Sequence, residues 1–281
     1  MIPLEQVTFG WQCLLGSLRA LRSRAIWGPW AVLFALHALG VLAFWWGAHP
    51  LLSWFVAPVL RALEGDAALR YPELFRRLPN LARDAGLVTG ALALPVFAGI
   101  STRLFERRFR GAETAPGAAW AEGLSRAGAL ILAALPVTLV ALGLQAMLHS
   151  LPLVRLSGSA RALALPAADA ALLFVRLACA YSAALVVLGR RSGPRALLEI
   201  PSTWTTGFLP AAVAVLLLVP AAVLASVLVS ASMAMAAGGF PEAIAVAVLV
   251  RAAIGSALAM VASGAITLAW MGAVEEGGRE P

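Results

Sequence analysis

Six stretches of this chain run for about twenty residues each with almost no charge: 27–46, 87–105, 127–148, 167–189, 208–231 and 243–271. About 20 consecutive apolar residues, wound as a helix, cross the hydrocarbon core of a bilayer. In lipid, every backbone N–H and C=O must find its partner inside the protein, and a helix satisfies them all within one segment. Hydrophobic residues make up 61% of the chain and charged ones 12%. A soluble domain has about 45–50% apolar and 25% charged residues. The predicted fold class is therefore all-α, a polytopic membrane helix bundle with six transmembrane helices. The 281 residues are expected to form one membrane domain, 1–281, without room for a separate soluble catalytic domain.

The placement of basic residues orients the bundle. All 21 are arginines, and a guanidinium cannot shed its proton to enter lipid. With the N-terminus inside, twelve fall in cytoplasmic segments: Arg19, Arg22, Arg24, Arg103, Arg107, Arg108, Arg110, Arg126, Arg190, Arg191, Arg195 and Arg279. Seven fall outside: Arg61, Arg70, Arg76, Arg77, Arg83, Arg155 and Arg161. Arginine excess marks the cytoplasmic side, so both termini are expected there. The net charge of +7 follows from this topology and does not imply nucleic acid. Basic clusters beside spans point to anionic lipid instead. Residues 1–10, MIPLEQVTFG, lack the basic start of a cleavable signal peptide.

Leu4, Val7, Trp11, Leu14, Leu15, Leu18 and Leu21 recur at helical spacing in the lead-in 1–26. They predict an amphipathic N-terminal helix, lying in the inner interface or docked on the protein's own cytoplasmic side. The first outer loop, 47–86, is long. Within it PLLSWFVAPVLRALEG reads as a short interfacial helix and YPELFRRLPNLARDAG as a helix leading into the next span.

The fourth and sixth spans share a register. One reads LPAADAALLFVRLACAYSAAL and the other FPEAIAVAVLVRAAIGSALAM. Arg176 follows Pro166 by ten residues, and Arg251 follows Pro241 by ten. Proline suits the first position of a helix, where its missing N–H is not needed. At 1.5 Å per residue, each arginine would stand about 15 Å below its proline, near the bilayer centre. Tyr71-Pro72-Glu73 echoes Phe240-Pro241-Glu242, with Arg83 eleven residues after Pro72. The pattern predicts three tandem helical hairpins, 27–105, 127–189 and 208–271, followed by a tail, 272–281.

An arginine at mid-span costs about 2.5–3.5 kcal/mol on insertion scales. Arg176 and Arg251 are therefore expected to face the bundle interior, a wet cavity or a partner. Asp169, two turns before Arg176, shapes one polar stripe with Tyr181 and Ser182. One reading makes these four residues, Arg176, Arg251, Asp169 and Tyr181, a site for an anionic solute or lipid headgroup. A second makes the guanidinia caps for carbonyls freed by Pro95, Pro136 or Pro220. A third gives them to a protein partner or a second copy of the chain.

Catalytic signatures are missing from the sequence: GxxxxGK[ST], HExxH, GxSxG and CxxC do not occur. His37, His49 and His149 have no thiolate or carboxylate set beside them to hold a metal, so no metal and no cofactor are expected. Cys13 and Cys179 are expected at different depths and not as a disulfide. Gly255, Ala259 and Ser263, with Gly264, form a small-residue stripe suited to close helix packing.

Six spans in hairpins, the amphipathic lead-in, the mid-span prolines and YPELFRRLP (71–79) resemble a broad group of uncharacterised bacterial membrane proteins. That group is similar in hydropathy to the membrane domain fused to some glycerophosphodiester phosphodiesterases. The resemblance carries over no site residues. It covers the membrane part without the barrel-shaped catalytic domain, so it implies no phosphodiesterase activity. The expectation is a non-catalytic protein of the bacterial inner membrane, permease-like or lipid-handling, with an arginine-lined polar cavity. The alternative is an assembly subunit or scaffold.

The orientation has a direct check. In a background without Cys13 and Cys179, a membrane-impermeant maleimide should label Ser53→Cys but not Ser192→Cys in intact cells. The reverse pattern would invert the topology.

Overall fold

The computed structural model describes residues 3–45, 50–70, 73–112, 115–150, 170–204, 208–238, 240 and 242–277. No strand occurs among them. The helices are α1 Pro3–Ala20, α2 Arg24–Trp45, α3 Pro50–Glu64, α4 Glu73–Phe109, α5 Pro116–Ser125, α6 Ala127–Ala133 and α7 Leu135–Ser150. A helical run over 170–178 leads to α8 Ser182–Val187. Then come α9 Gly193–Thr203, α10 Phe208–Leu216, α11 Val219–Gly238 and α12 Ala243–Gly277. The prolines Pro72, Pro166 and Pro241, together with Asp169 and His49, lie outside the described residues.

Five segments are long and apolar enough to cross a membrane: Arg24–Ala43, Asp84–Phe109, Ala170–Val187, Phe208–Val229 and Ala243–Glu275. α6 and α7 give a further crossing when taken as one span bent by 54°. The bend has a local cause, because Pro136 lacks an N–H and disfavours helical geometry in the residue before it. The break between α10 and α11 likewise stands just ahead of Pro220. The break between 178 and 182 contains no proline. There the Ala180 N–H donates to Leu177 O at 3.1 Å and the Ser182 N–H to Cys179 O at 3.0 Å. These tight turns keep the backbone paired where the α-helical ladder stops.

Large apolar side chains stand exposed along the spans, among them Leu36, Leu39, Leu92, Leu139, Leu142, Phe174, Leu224 and Leu228. Water would not tolerate so much contiguous apolar surface. Hydrocarbon does.

The chain's contacts fall into two compact units. One comprises 1–29, 90–217 and 260–281, the other 30–89 and 218–259. The two units interleave along the chain, and α2, α4 and α12 each contribute residues to both.

In the first unit Leu130, Ala133, Leu185, Val186, Val187, Ala196 and Ile200 form a buried core, with Trp270 packed against it. Gly193 opens α9 where a Cβ would meet Ala129 O at 2.9 Å, so only glycine lets α9 lie this close to α6. α1 docks on the same unit, against α10 and α12. Phe9 meets Gly272, Gly16 meets Leu268, and Ser17 donates a hydrogen bond to Val261 O at 2.7 Å. The rising numbers on one helix against falling numbers on the other make the pair antiparallel. The amphipathic helix thus packs on the protein itself. Its buried face carries Gly10, Cys13, Leu14 and Ser17, while Leu4, Val7, Trp11 and Leu18 remain exposed. Burial pushes the Cys13 thiol up to about 12, so it stays neutral. Cys13 and Cys179 are both buried and free.

The second unit packs Val41 of α2 and Phe75 and Leu78 of α4 against Ile244, Ala245 and Val248 of α12. His37 is satisfied at both nitrogens. Leu33 O lies 2.8 Å from Nδ1 and Thr89 Oγ1 3.0 Å from Nε2. A carbonyl can only accept, so Nδ1 carries a proton; the Thr89 hydroxyl beside Nε2 also reaches Ala85 O at 3.1 Å. α3 buries Leu60 and exposes Trp54 and Phe55, whose rings meet edge to face at 4.6 Å.

Of the two glycines in the small-residue stripe of α12, Gly264 serves close packing and Gly255 does not. A Cβ on Gly264 would strike Ser17 Oγ and the Phe105 ring, whereas Gly255 has open space around it. Gly264→Leu should therefore destabilise the fold by about 1–3 kcal/mol through overpacking. Gly255→Ala should be neutral or stabilise by up to about 1 kcal/mol. Unfolding titrations in mixed micelles distinguish the two, and equal costs would contradict the packing.

Candidate functional site

The end of α4 reads RLFERRFR over 103–110. Arg103, Glu106, Arg107 and Arg110 are spaced three, four and seven residues from the first, which places them on one helical face. Arg103 stands nineteen residues after Asp84, the start of that span. At 1.5 Å per residue this is about 28 Å, one hydrocarbon thickness. The charged face begins where the apolar layer ends.

Glu106 is 5% exposed. Its two oxygens lie 3.0 Å from Arg103 Nη1 and 3.0 Å from Arg110 Nε. Arg103 also pairs with Glu122 of α5, Nε to Oε2 at 2.9 Å. The Nε–H is not aimed at that oxygen, so the contact is ionic, and this buried nitrogen donates to no acceptor among the described residues. Arg126, at the junction of α5 and α6, lies 4.0 Å from Glu122 and donates a hydrogen bond to Val186 O. Carbonyls in the last turn of a helix have no intrahelical donor, and Arg126 caps one of them. Two carboxylates and three guanidinia thereby tie α4, α5, α6 and α8 together.

Beside this network lies a cavity of about 540 Å³. α4 lines it with Arg103, Glu106, Arg107 and Arg110, the turn after α8 with Val187, Leu188, Gly189 and Arg190, and α12 with Trp270, Met271, Val274 and Glu275. The α4 side is mainly basic, and the α12 side is apolar apart from Glu275 at its end. Binding cavities of roughly 300–1,000 Å³ combine an apolar wall with a few convergent polar groups in this way.

Arg190 has a φ of +50°. That left-handed conformation, at the end of a helix, usually belongs to glycine; an arginine holds it at a cost of about 1–2 kcal/mol. The neighbouring guanidinium of Arg191 turns elsewhere, pairing with Glu199 at 2.8 Å. Arg190 itself lines the cavity and has no side-chain partner among the described residues. Arg107 donates one long bond, 3.4 Å, to Ala115 O.

The residues expected from sequence are not in this cavity. Arg176 is exposed on the first unit and Arg251 on the second. Tyr181 is 3% exposed and packs its ring 5.5 Å from Trp270, so it backs the residue that forms part of the cavity wall. Asp169 lies outside the described residues. The arginines that do converge figured in the sequence reading only as markers of the cytoplasmic side. The missed signal was their spacing: three arginines and a glutamate on one helical face directly after an apolar run, and Gly-Arg-Arg at the end of another.

The chain matches no family model, no curated protein and no solved structure.

The two kinds of arginine here should respond oppositely to substitution. Arg103→Leu leaves the buried Glu106 with Arg110 alone and Glu122 with only the 4.0 Å contact to Arg126, and should cost about 3 kcal/mol. Arg190→Gly relaxes a strained backbone and should stabilise by about 1 kcal/mol. Unfolding titrations read both. A tolerated Arg103→Leu would show that the ion pairs do not hold these helix ends.

Proposed function

We propose that the chain is a non-catalytic, lipid-handling protein of the bacterial inner membrane that holds an anionic headgroup in the arginine-lined cavity. The observation that carries this reading is the cavity's two-sidedness at the end of the spans. A phosphate group fits the guanidinia, and the first carbons of a lipid fit Trp270, Met271 and Val274. Headgroups in a bilayer sit at this level, where the apolar helices end.

The cavity also supports six crossings over five. It gathers the ends of the spans closing at Phe109, Val187 and Glu275. The first two of these ends can share one membrane side only if the bent pair α6–α7 crosses between them. The arginine bias supports the cytoplasm as that side.

A second reading, an assembly subunit, has one observation in its favour. Arg251 is exposed eight residues into α12 and has no partner among the described residues. Such a charge is favoured by a partner helix that pairs with it.

Gentle purification followed by lipid extraction and mass spectrometry separates the two. The lipid-handling reading expects anionic lipid enriched several-fold over the surrounding membrane, and the enrichment reduced by Arg107→Gln with Arg110→Gln. Bulk lipid composition together with a stoichiometric second protein would favour the subunit.

A further inference from the structure

We infer that the group held in the cavity is a phosphomonoester, a phosphate with a single ester bond. This rests on the anionic-headgroup reading above and narrows it. Four arginines and two glutamates line the cavity, which leaves it a charge of +2. Glu106 is already taken up by Arg103 and Arg110. That set keeps a charge of +1; the rest of the +2 comes from Arg107, with its single long bond, and Arg190, with no partner among the described residues, offset by Glu275 on the α12 wall.

A phosphomonoester carries about −1.5 to −2 near neutral pH and offers three terminal oxygens. Two free guanidinia match that charge, and each presents a planar fork that grips two oxygens at once. A phosphodiester headgroup carries one negative charge and would leave the lining positive. A zwitterionic headgroup brings no net charge at all.

Arg190 supplies the independent support. Glycine is the relaxed residue at a φ of +50°, and glycine already stands at the preceding position. An arginine is held here against its backbone preference, at the cavity's edge. The strain is explained when the side chain is needed at that place. The apolar wall opposite, with Trp270 and Met271, suits the glyceryl and first acyl carbons of a lipid. The same phosphate chemistry could be presented by a soluble ester.

The test uses the full chain in neutral detergent at pH 8, with binding read by native mass spectrometry. The probes are dioctanoyl phosphatidate, dioctanoyl phosphatidylglycerol, dioctanoyl phosphatidylethanolamine and glycerol 3-phosphate. Phosphatidate should bind about tenfold tighter than phosphatidylglycerol, and glycerol 3-phosphate should bind weakly. Arg190→Gly, which relaxes the fold, and Arg107→Gln should each remove most of that preference.

Equal binding of phosphatidate and phosphatidylglycerol, lost in Arg107→Gln, would overturn the phosphomonoester and leave the anionic-lipid reading standing. Glycerol 3-phosphate binding as tightly as phosphatidate would keep the phosphomonoester and overturn the lipid. Binding of no probe, or binding indifferent to both substitutions, would overturn both.

Discussion

The buried carboxylate of Glu106 is the interaction on which the arrangement around the cavity depends. An ionised group with 5% exposure is tolerated only when charge and hydrogen bonds surround it. Arg103 and Arg110 supply these, and Arg103 passes the constraint on to Glu122, which Arg126 shares. Arg126 in turn holds the last turn of α8 through Val186 O. The order matters, because α8 ends in the strained turn that presents Arg190. A buried carboxylate thus helps to fix where the turn bearing Arg190 stands. The ion pairs act here as a positional device more than as a source of net stability, in keeping with the desolvation that any buried pair must offset.

A second constraint comes from the solvent. Hydrocarbon offers backbone groups no partner, so each interruption of a span must repair itself. Pro136 and Pro220 interrupt at the first turn of the following helix, where a missing N–H leaves no acceptor wanting. The break ahead of α8 is closed by three-residue turns instead. The uninterrupted helices α2, α4 and α12 each have residues in both contact units. Of the interrupted spans, α6–α7 and 170–187 belong to the first unit alone, while the span of α10 and α11 divides between the units at its break.

Much of the fold was legible because periodicity and length are local properties. The spans, the helix over 50–64 and the helix running from Glu73 into a span all follow from apolar runs and their punctuation. The face by which α1 docks did not. Of the seven residues that helical spacing picked out, Leu14 is buried, but Leu4, Val7, Trp11 and Leu18 are exposed. The face that docks combines Cys13 and Leu14 with Gly10, Gly16 and Ser17, small residues that a count of apolar mass passes over but that allow close approach. The cavity was hidden for a related reason. Arg176 and Arg251 stood out because their surroundings are apolar, whereas Arg103, Arg107, Arg110 and Arg190 sat among other charges near span ends and looked like ordinary topology markers. Convergence of three helix ends is a tertiary fact, and no single stretch of sequence contains it.

The antiparallel seat of α1 on α12 joins segments made far apart in time. Ser17 and Val261 are 244 residues apart. At about 5–20 residues per second, α1 leaves the ribosome roughly 12–50 s before its partner is complete. α10, on which Gly10 of α1 closes at Pro210 and Val213, is made before Val261, so α1 can seat in part before α12 arrives. Loop closure over so long a chain is entropically slow. The full seating of α1 is therefore a late event in the protein's assembly, and the first unit becomes complete only once α12 has been made.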